Sequence, residues 1–265
     1  TYAELIEELR AKKDQRHLVF ENVTVIVQDL DTPTINANVV INAPVTFKNL
    51  TVVRSEQSIE KNTYNKEIFG YLAFKGITFK DSLEFNTFRA AGISFDSCSI
   101  NGVRIYGDNE TKNPADDNRF ISFANSSIYK CIIIGGINLS GLDIRDSKLI
   151  MDHNKKGSDS SYQAAVILVQ TARKDSQDRS TCHINIYNTS ITYAENRKYT
   201  PDDAMTLSKM VIFGVKDVII EKSVISIPIQ FYNIDDFDYM SDYYIKNTIF
   251  NHLVSFKGLN LRNLS

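Results

Sequence analysis

One six-residue pattern governs what this chain can fold into. It reads "FENVTV" from Phe20, "FKNLTV" from Phe47 and "FKGITF" from Phe74. Looser copies start at Phe95, Phe123, Ile144, Ile186, Ile220, Ile245 and Phe256. The first position is always Phe or Ile, and the sixth is Val, Ile, Leu or Phe. The fourth is apolar or small, and the fifth is mostly Thr or Ser. Eight of the ten third positions are Asn, Asp or Gly, the residues that accept a left-handed backbone (Asn22, Asn49, Gly76, Asn125, Asp146, Asn188, Asn247, Gly258). Each unit therefore reads in, out, corner, in, out, in, which is strand alternation on both sides of a one-residue bend. A helix would space its apolar residues three and four apart.

From Phe20 to Ile245 the units recur at intervals of 27, 27, 21, 28, 21, 42, 34 and 25 residues. A basic period with variable insertions is how a solenoid is written, each coil burying its apolar side on its neighbours. The first-position residues are expected to stack inside, each contributing about 1.5–3 kcal/mol relative to exposure.

These units resemble the right-handed parallel β-helix proteins of the pectate-lyase-like kind, in which an Asn-rich ladder marks a tight corner between short strands. The resemblance covers residues 17–264 and implies an all-β fold, a single-stranded right-handed parallel β-helix. A five-residue step at Leu139, Ile144 and Leu149 is similar to pentapeptide-repeat helices, but the long insertions do not suit so regular a coil. One domain over 1–265 is expected, with coils over 17–264 and a capping α-helix over 1–13. Thr1 and Glu4 form a capping box there, Tyr2, Leu5, Ile6 and Leu9 share one face, and Lys12 and Lys13 suit the helix end. No matching cap closes the C-terminus, so a protein partner, a second copy or a further segment is expected to cover that end.

Polar insertions at 54–66, 107–119, 152–163, 194–208 and 233–244 each follow a unit and are expected to leave one corner as a wall. The insertion at 171–182 precedes its unit and is expected on the opposite side of the intervening strand. In the family that the chain resembles, the face between such corners carries the ligand groove. That family's enzymes use carboxylates on neighbouring coils, or carboxylates with calcium and an Arg or Lys base. The strands read as preceding the units, "ANVVI", "GYLAF", "RFISF", "AAVILV" and "KMVIF", carry no acids, and Glu84 stands alone. The Asn-Thr-Asp, Gly-His-Gly and Arg-Ile-Lys signatures of the hydrolases are also absent. No catalytic residue, cofactor or metal ligand is assigned.

Asp116, Asp117, Asp202, Asp203 and Asp242 read as solvated loop acids without calcium-loop spacing. His17, His153, His183 and His252 have no nucleophile at a recognisable spacing. Cys98, Cys131 and Cys182 form neither a disulfide framework nor a metal set. The binding candidates lie in "QFYNIDDFDYMSDYY": Asp235, Asp236, Asp238, Tyr239, Tyr243 and Tyr244, where tyrosines with polar tips sit among acids. The apolar outer positions Val224 and Ile249 imply a cover, which this loop could supply. Four glycosylation sequons, at Asn22, Asn49, Asn125 and Asn188, are generated by the repeat grammar itself and carry no message about secretion.

Net charge is −2, with 30 basic and 32 acidic residues, which supplies no attraction for nucleic acid and no acidic face to mimic DNA. No apolar run approaches the ~20 residues of a membrane span, and the first residues lack the apolar stretch of a signal peptide. Compartment is not legible. The expectation is a non-catalytic interaction or structural module presenting loops to a protein or glycan. The alternative is a carbohydrate-active enzyme or sugar-binding domain. A row of charged groups facing outward on one sheet would favour that alternative.

Overall fold

All ten third positions of the repeat adopt the left-handed backbone, with φ between 46° and 67°. Ser97 and Lys222 do so without the usual Asn, Asp or Gly, at an intrinsic cost of about 1–2 kcal/mol each. The computed structural model describes residues 1–27, 38–55, 69–106, 119–137, 139–151, 165–171, 183–193, 209–232, 241–258 and 261–264. Every pairing between its strands is parallel. Parallel neighbours so close in sequence require the chain to complete a circuit between them, which is the parallel β-helix expected.

One turn shows the path. Strand β8 (Gly92–Asp96) meets the corner at Ser97, and β9 (Ser99–Tyr106) follows. Gly102, at φ 101°, bends β9 into two sides before the chain returns to β10 (Arg119–Ala124). An eight-stranded sheet stacks β5 (Tyr71–Lys75), β8, β10, β12 (Leu139–Arg145), β15 (His183–Tyr187), β18 (Asp217–Glu221), β21 (Ser241–Lys246) and β24 (Leu261–Leu264). The other two sides form a sixteen-stranded sheet that bends within strands such as β9.

The bore is lined from all three sides. Phe74, Phe95 and Phe123 stack at centroid distances of 5.4 and 5.0 Å, followed in register by Ile144, Ile186, Ile220 and Ile245. A second ladder runs through β1 (Leu18–Glu21), β4 (Val45–Arg54) and β7 (Leu83–Arg89), stacking Phe20, Phe47 and Phe85 at 5.0 Å per step. Phe74 is therefore not the next member of the Phe20–Phe47 series. It faces Phe47 across the bore, 6.4 Å away and tilted by 43°. The repeat serves two different corners. Seven units flank the eight-stranded sheet, while those at Phe20, Phe47 and Phe256 flank the larger one.

The fourth position, expected to be apolar or small, carries a second internal ladder. Buried Ser126, Ser147, Thr189 and Ser223 each lend a hydroxyl to the carbonyl two residues earlier, at 2.6–2.9 Å. The three serine oxygens also accept backbone N–H groups from the neighbouring coil: Cys98 to Ser126, Ser126 to Ser147, and Thr189 to Ser223, at 3.1–3.2 Å. Outside the corner, the amides of Asn49, Asn125 and Asn188 donate to Asn22, Asp96 and Asp146. Sequon asparagines thus serve as rungs of a side-chain ladder.

Helix α1 (Tyr2–Ala11) has the capping box read from Thr1 and Glu4, and it buries Tyr2, Leu5, Ile6 and Leu9 against the first coils. No helix among the described residues is long and apolar enough to cross a membrane. At the other end Ile249, Leu253 and Phe256 are exposed.

The insertions do not share one corner. Those between β4 and β5, β9 and β10, and β20 (Ile229–Tyr232) and β21 lead into the eight-stranded sheet, as does the one after β14 (Ala165–Thr171). Those following β13 (Lys148–Met151) and β16 (Ser190–Tyr193) join two parts of the larger sheet.

Candidate functional site

The outer face of the eight-stranded sheet is set by the corners. Alternation sends the residues one, three and five places before each corner outward, and those two and four places before it inward. Five places before, the order along the stack is Tyr71, Gly92, Phe120, Gly141, His183, Asp217, Asp242. Three places before, it is Ala73, Ser94, Ser122, Asp143, Asn185, Ile219, Tyr244. Rungs repeat at about 4.8 Å, so these rows form a continuous strip along the molecule.

Charged groups concentrate from β12 onward. Asp143 binds Arg145 through Nε at 2.6 Å, and this hydrogen bond raises the guanidinium's affinity for its proton. His183 Nδ1 lies 2.8 Å from Asp217 Oδ2, with the imidazole well exposed and the carboxylate a quarter exposed. Asp242 is the register neighbour of Asp217, one rung on. Lys222, on the corner, donates to the Tyr187 hydroxyl at 2.7 Å and lies 4.9 Å from the centroid of that same ring, and the hydrogen bond raises its pKa. Near the other end, Lys75 reaches Asp96 at 3.5 Å. Burial pushes the Asp96 carboxyl up, but hydrogen bonds from Asn125, Ser97 and Lys75 outweigh it and leave the pKa below the usual range.

This face corrects the reading that the strands before the repeat units carry no acids. "AAVILV" and "KMVIF" belong to β14 and β17 (Lys209–Phe213) in the larger sheet. "ANVVI" likewise ends in the larger sheet, at β3 (Val40–Ile41). The strands that do precede the units bring Asp143, Asp217 and Asp242 to the surface. Glu84 is not isolated either, since Arg104 lies 3.3 Å from it on the adjoining rung. Counting back three and five residues from each corner would have found the strip.

Of the candidates read from the sequence, Asp235, Asp236, Asp238 and Tyr239 lie outside the described residues. Tyr243 points inward, packing 5.1 Å from Phe231 and buried. Tyr244 alone among the described candidates faces out, beside the exposed Ile219. Val224 is partly buried and Ile249 is 58 % exposed. Among the described residues, no three His, Cys, Asp or Glu side chains come together as a metal set.

Cys98 sits inside the coil, its Sγ 3.4–3.5 Å from the carbonyl oxygens of Asp96 and Phe74, and burial pushes its thiol pKa up to about 11. Burial likewise raises the Tyr2 phenol to about 12, with repulsion from the nearby Cys98 adding to it, and the phenol oxygen has no hydrogen-bond partner among the described residues. Both folded values lie above the ordinary 9.0 and 10.0, so folding favours the protonated forms. Their contribution is complete below pH 9 and is lost between about 9 and 12 as the groups are forced to ionise. Urea-unfolding midpoints are expected to fall through that window, and Tyr2→Phe is expected to flatten the upper part of the fall. An unchanged profile in that variant would contradict the burial of the phenol.

Fold and surface together define an all-β parallel β-helix with a helical N-terminal cap and a charged, partly aromatic strip along one sheet. Comparisons with protein-family models, with curated proteins and with solved structures each found no match.

Proposed function

We propose that this chain is a non-catalytic interaction module and that its contact surface is the outer face of the eight-stranded sheet. One observation carries the reading: the outward charges that alone would favour the carbohydrate-active alternative are matched with one another, Asp143 with Arg145 and His183 with Asp217, on a face that also exposes aromatic groups. Its likeness within parallel β-helices is to the pectate-lyase-like kind, supported by the corner ladder of Asn, Asp, Ser and Gly. Asp235, Asp236, Asp238 and Tyr239, which precede β21 in the chain, stay binding candidates on their sequence alone.

A carbohydrate-active enzyme is the second reading, favoured by the carboxylates of Asp217 and Asp242 on adjacent rungs beside His183. Paired carboxylates can divide acid and base roles in glycoside cleavage. One experiment separates the two. The purified protein is run through gels containing neutral or acidic polysaccharides, and the polymers are then analysed for length. Retardation without shortening is expected, abolished by Ser122→Arg, which raises a bulky cation in the middle of the face. Retardation that survives this substitution moves the contact surface elsewhere. Chains shortened by the wild type but not by Asp217→Asn replace the module with the enzyme.

A further inference from the structure

Two aromatic rings on this strip are arranged in a way that shielding the core does not require. In the outermost row, aromatic and glycine alternate: Tyr71, Gly92, Phe120, Gly141. Each ring leans along the stack over the next glycine. A Cβ at Gly92 would lie 2.7 and 2.8 Å from Cε1 and Cδ1 of Tyr71. At Gly141 it would lie 2.8 and 3.0 Å from Cδ2 and Cε2 of Phe120. At Gly92 the Phe120 carbonyl oxygen is closer still, at 2.5 Å, so that glycine serves the backbone as well as the Tyr71 ring, while Gly141 leaves room for the Phe120 ring above all. Tyr71 is 39 % exposed and Phe120 is partly exposed, so the rings remain open to solvent.

The surroundings restrict what such rings can meet. Beside them runs a row of small, uncharged residues, with Ala73 buried and Ser94 and Ser122 partly exposed. The nearest charges are already matched, Lys75 with Asp96 and Asp143 with Arg145. Further along, Asp217 and Asp242 add carboxylates that would repel a polyanion. The rings stand two rungs apart, about 9.6 Å, which suits a polymer repeating every two sugar units in an extended chain. On this face a peptide strand gains no backbone pairing at β8, β10 or β12, whose backbone groups already bond sideways to neighbouring rungs; β5 is the end strand of the sheet.

Resting on the reading of this face as the contact surface, we propose that the strip binds an uncharged, extended polysaccharide, with Tyr71 and Phe120 stacking on its sugar rings. The apolar faces of pyranose rings lie on the aromatics, and hydroxyls further along donate to Asp217 and Asp242.

Affinity electrophoresis with xyloglucan, galactomannan, polygalacturonate and alginate tests this. Retardation by a neutral polymer is expected, weakened about tenfold by Tyr71→Ala or Phe120→Ala, as befits anchors of a contact surface. Gly141→Ala, which displaces the Phe120 ring, is expected to weaken it too. Circular dichroism checks each variant's fold. If an alanine variant loses its strand spectrum, Ser94→Arg decides the same question by obstructing the row without touching either ring. Neutral-polymer binding untouched by these changes overturns the stacking assignment. Preference for polygalacturonate or alginate, lost in Ser122→Arg, overturns the uncharged ligand while the contact face stands. Retardation by none of the four overturns the inference outright.

Discussion

Replacing Phe95 by alanine is expected to destabilise the protein by about 3–5 kcal/mol, the range for deleting a fully buried aromatic. Phe95 is wholly buried, stacked between Phe74 at 5.4 Å and Phe123 at 5.0 Å, with Phe85 edge-on at 6.3 Å. Its neighbours cannot close the hole, because each is fixed to a rung whose spacing the backbone hydrogen bonds set. Phe20 offers the control. It stacks on Phe47 alone, 5.0 Å away, and is only partly buried, so Phe20→Ala is expected to cost about 1–2 kcal/mol. Urea unfolding followed by circular dichroism measures both. Because each coil contacts only its neighbours, a gap at Phe95 is also expected to broaden the transition as the two halves uncouple. Equal losses at Phe20 and Phe95 would contradict the continuous bore.

The corner was legible in eight of the ten units, where Asn, Asp or Gly announced the left-handed backbone, and Ser97 and Lys222 take it from their place in the repeat alone. Which corner each unit serves was not. The hexad at Phe47 and the hexad at Phe74 obey the same in, out, corner chemistry, although they belong to different sides of the coil. Equal spacings of 27 residues suggested two complete circuits, yet the register neighbour of Phe47 is Phe85, not Phe74. That confusion also hid the strip. With β14 and β17 taken for the strands before the corners, Asp143 and Asp217 were never placed on a face. The candidate tyrosines split for the same reason: alternation one residue out of phase distinguishes buried Tyr243 from exposed Tyr244.

Serine in the fourth position passed for a space-filler because its role depends on the next coil, which sequence spacing does not display. The expected cost of removing it is large. In Ser126→Ala the backbone N–H of Cys98 loses its acceptor, 3.1 Å away, inside the protein. The carbonyl of Ala124 loses a donor at 2.7 Å, and that of Phe95 loses one at 3.3 Å. A buried donor left unmatched costs about 1–3 kcal/mol, and Ser126→Val, which adds bulk as well, is expected near the upper end. Ser126→Thr is expected to lose less than about 0.5 kcal/mol in free energy of unfolding, a typical net-neutral change. Thr189 already makes the equivalent bonds on another rung, to Tyr187 O at 2.9 Å and from its own N–H to Ser223 Oγ at 3.2 Å. Cys98→Ser should likewise be tolerated, because the Cys98 thiol occupies the same station beneath the carbonyls of Asp96 and Phe74. Unfolding measurements on the four variants give a simple ordering: Thr and Cys98→Ser near wild type, Ala well below, Val lowest. If Ala instead matches wild type while Thr does not, size governs the position, and the hydroxyl ladder contributes no stability of its own.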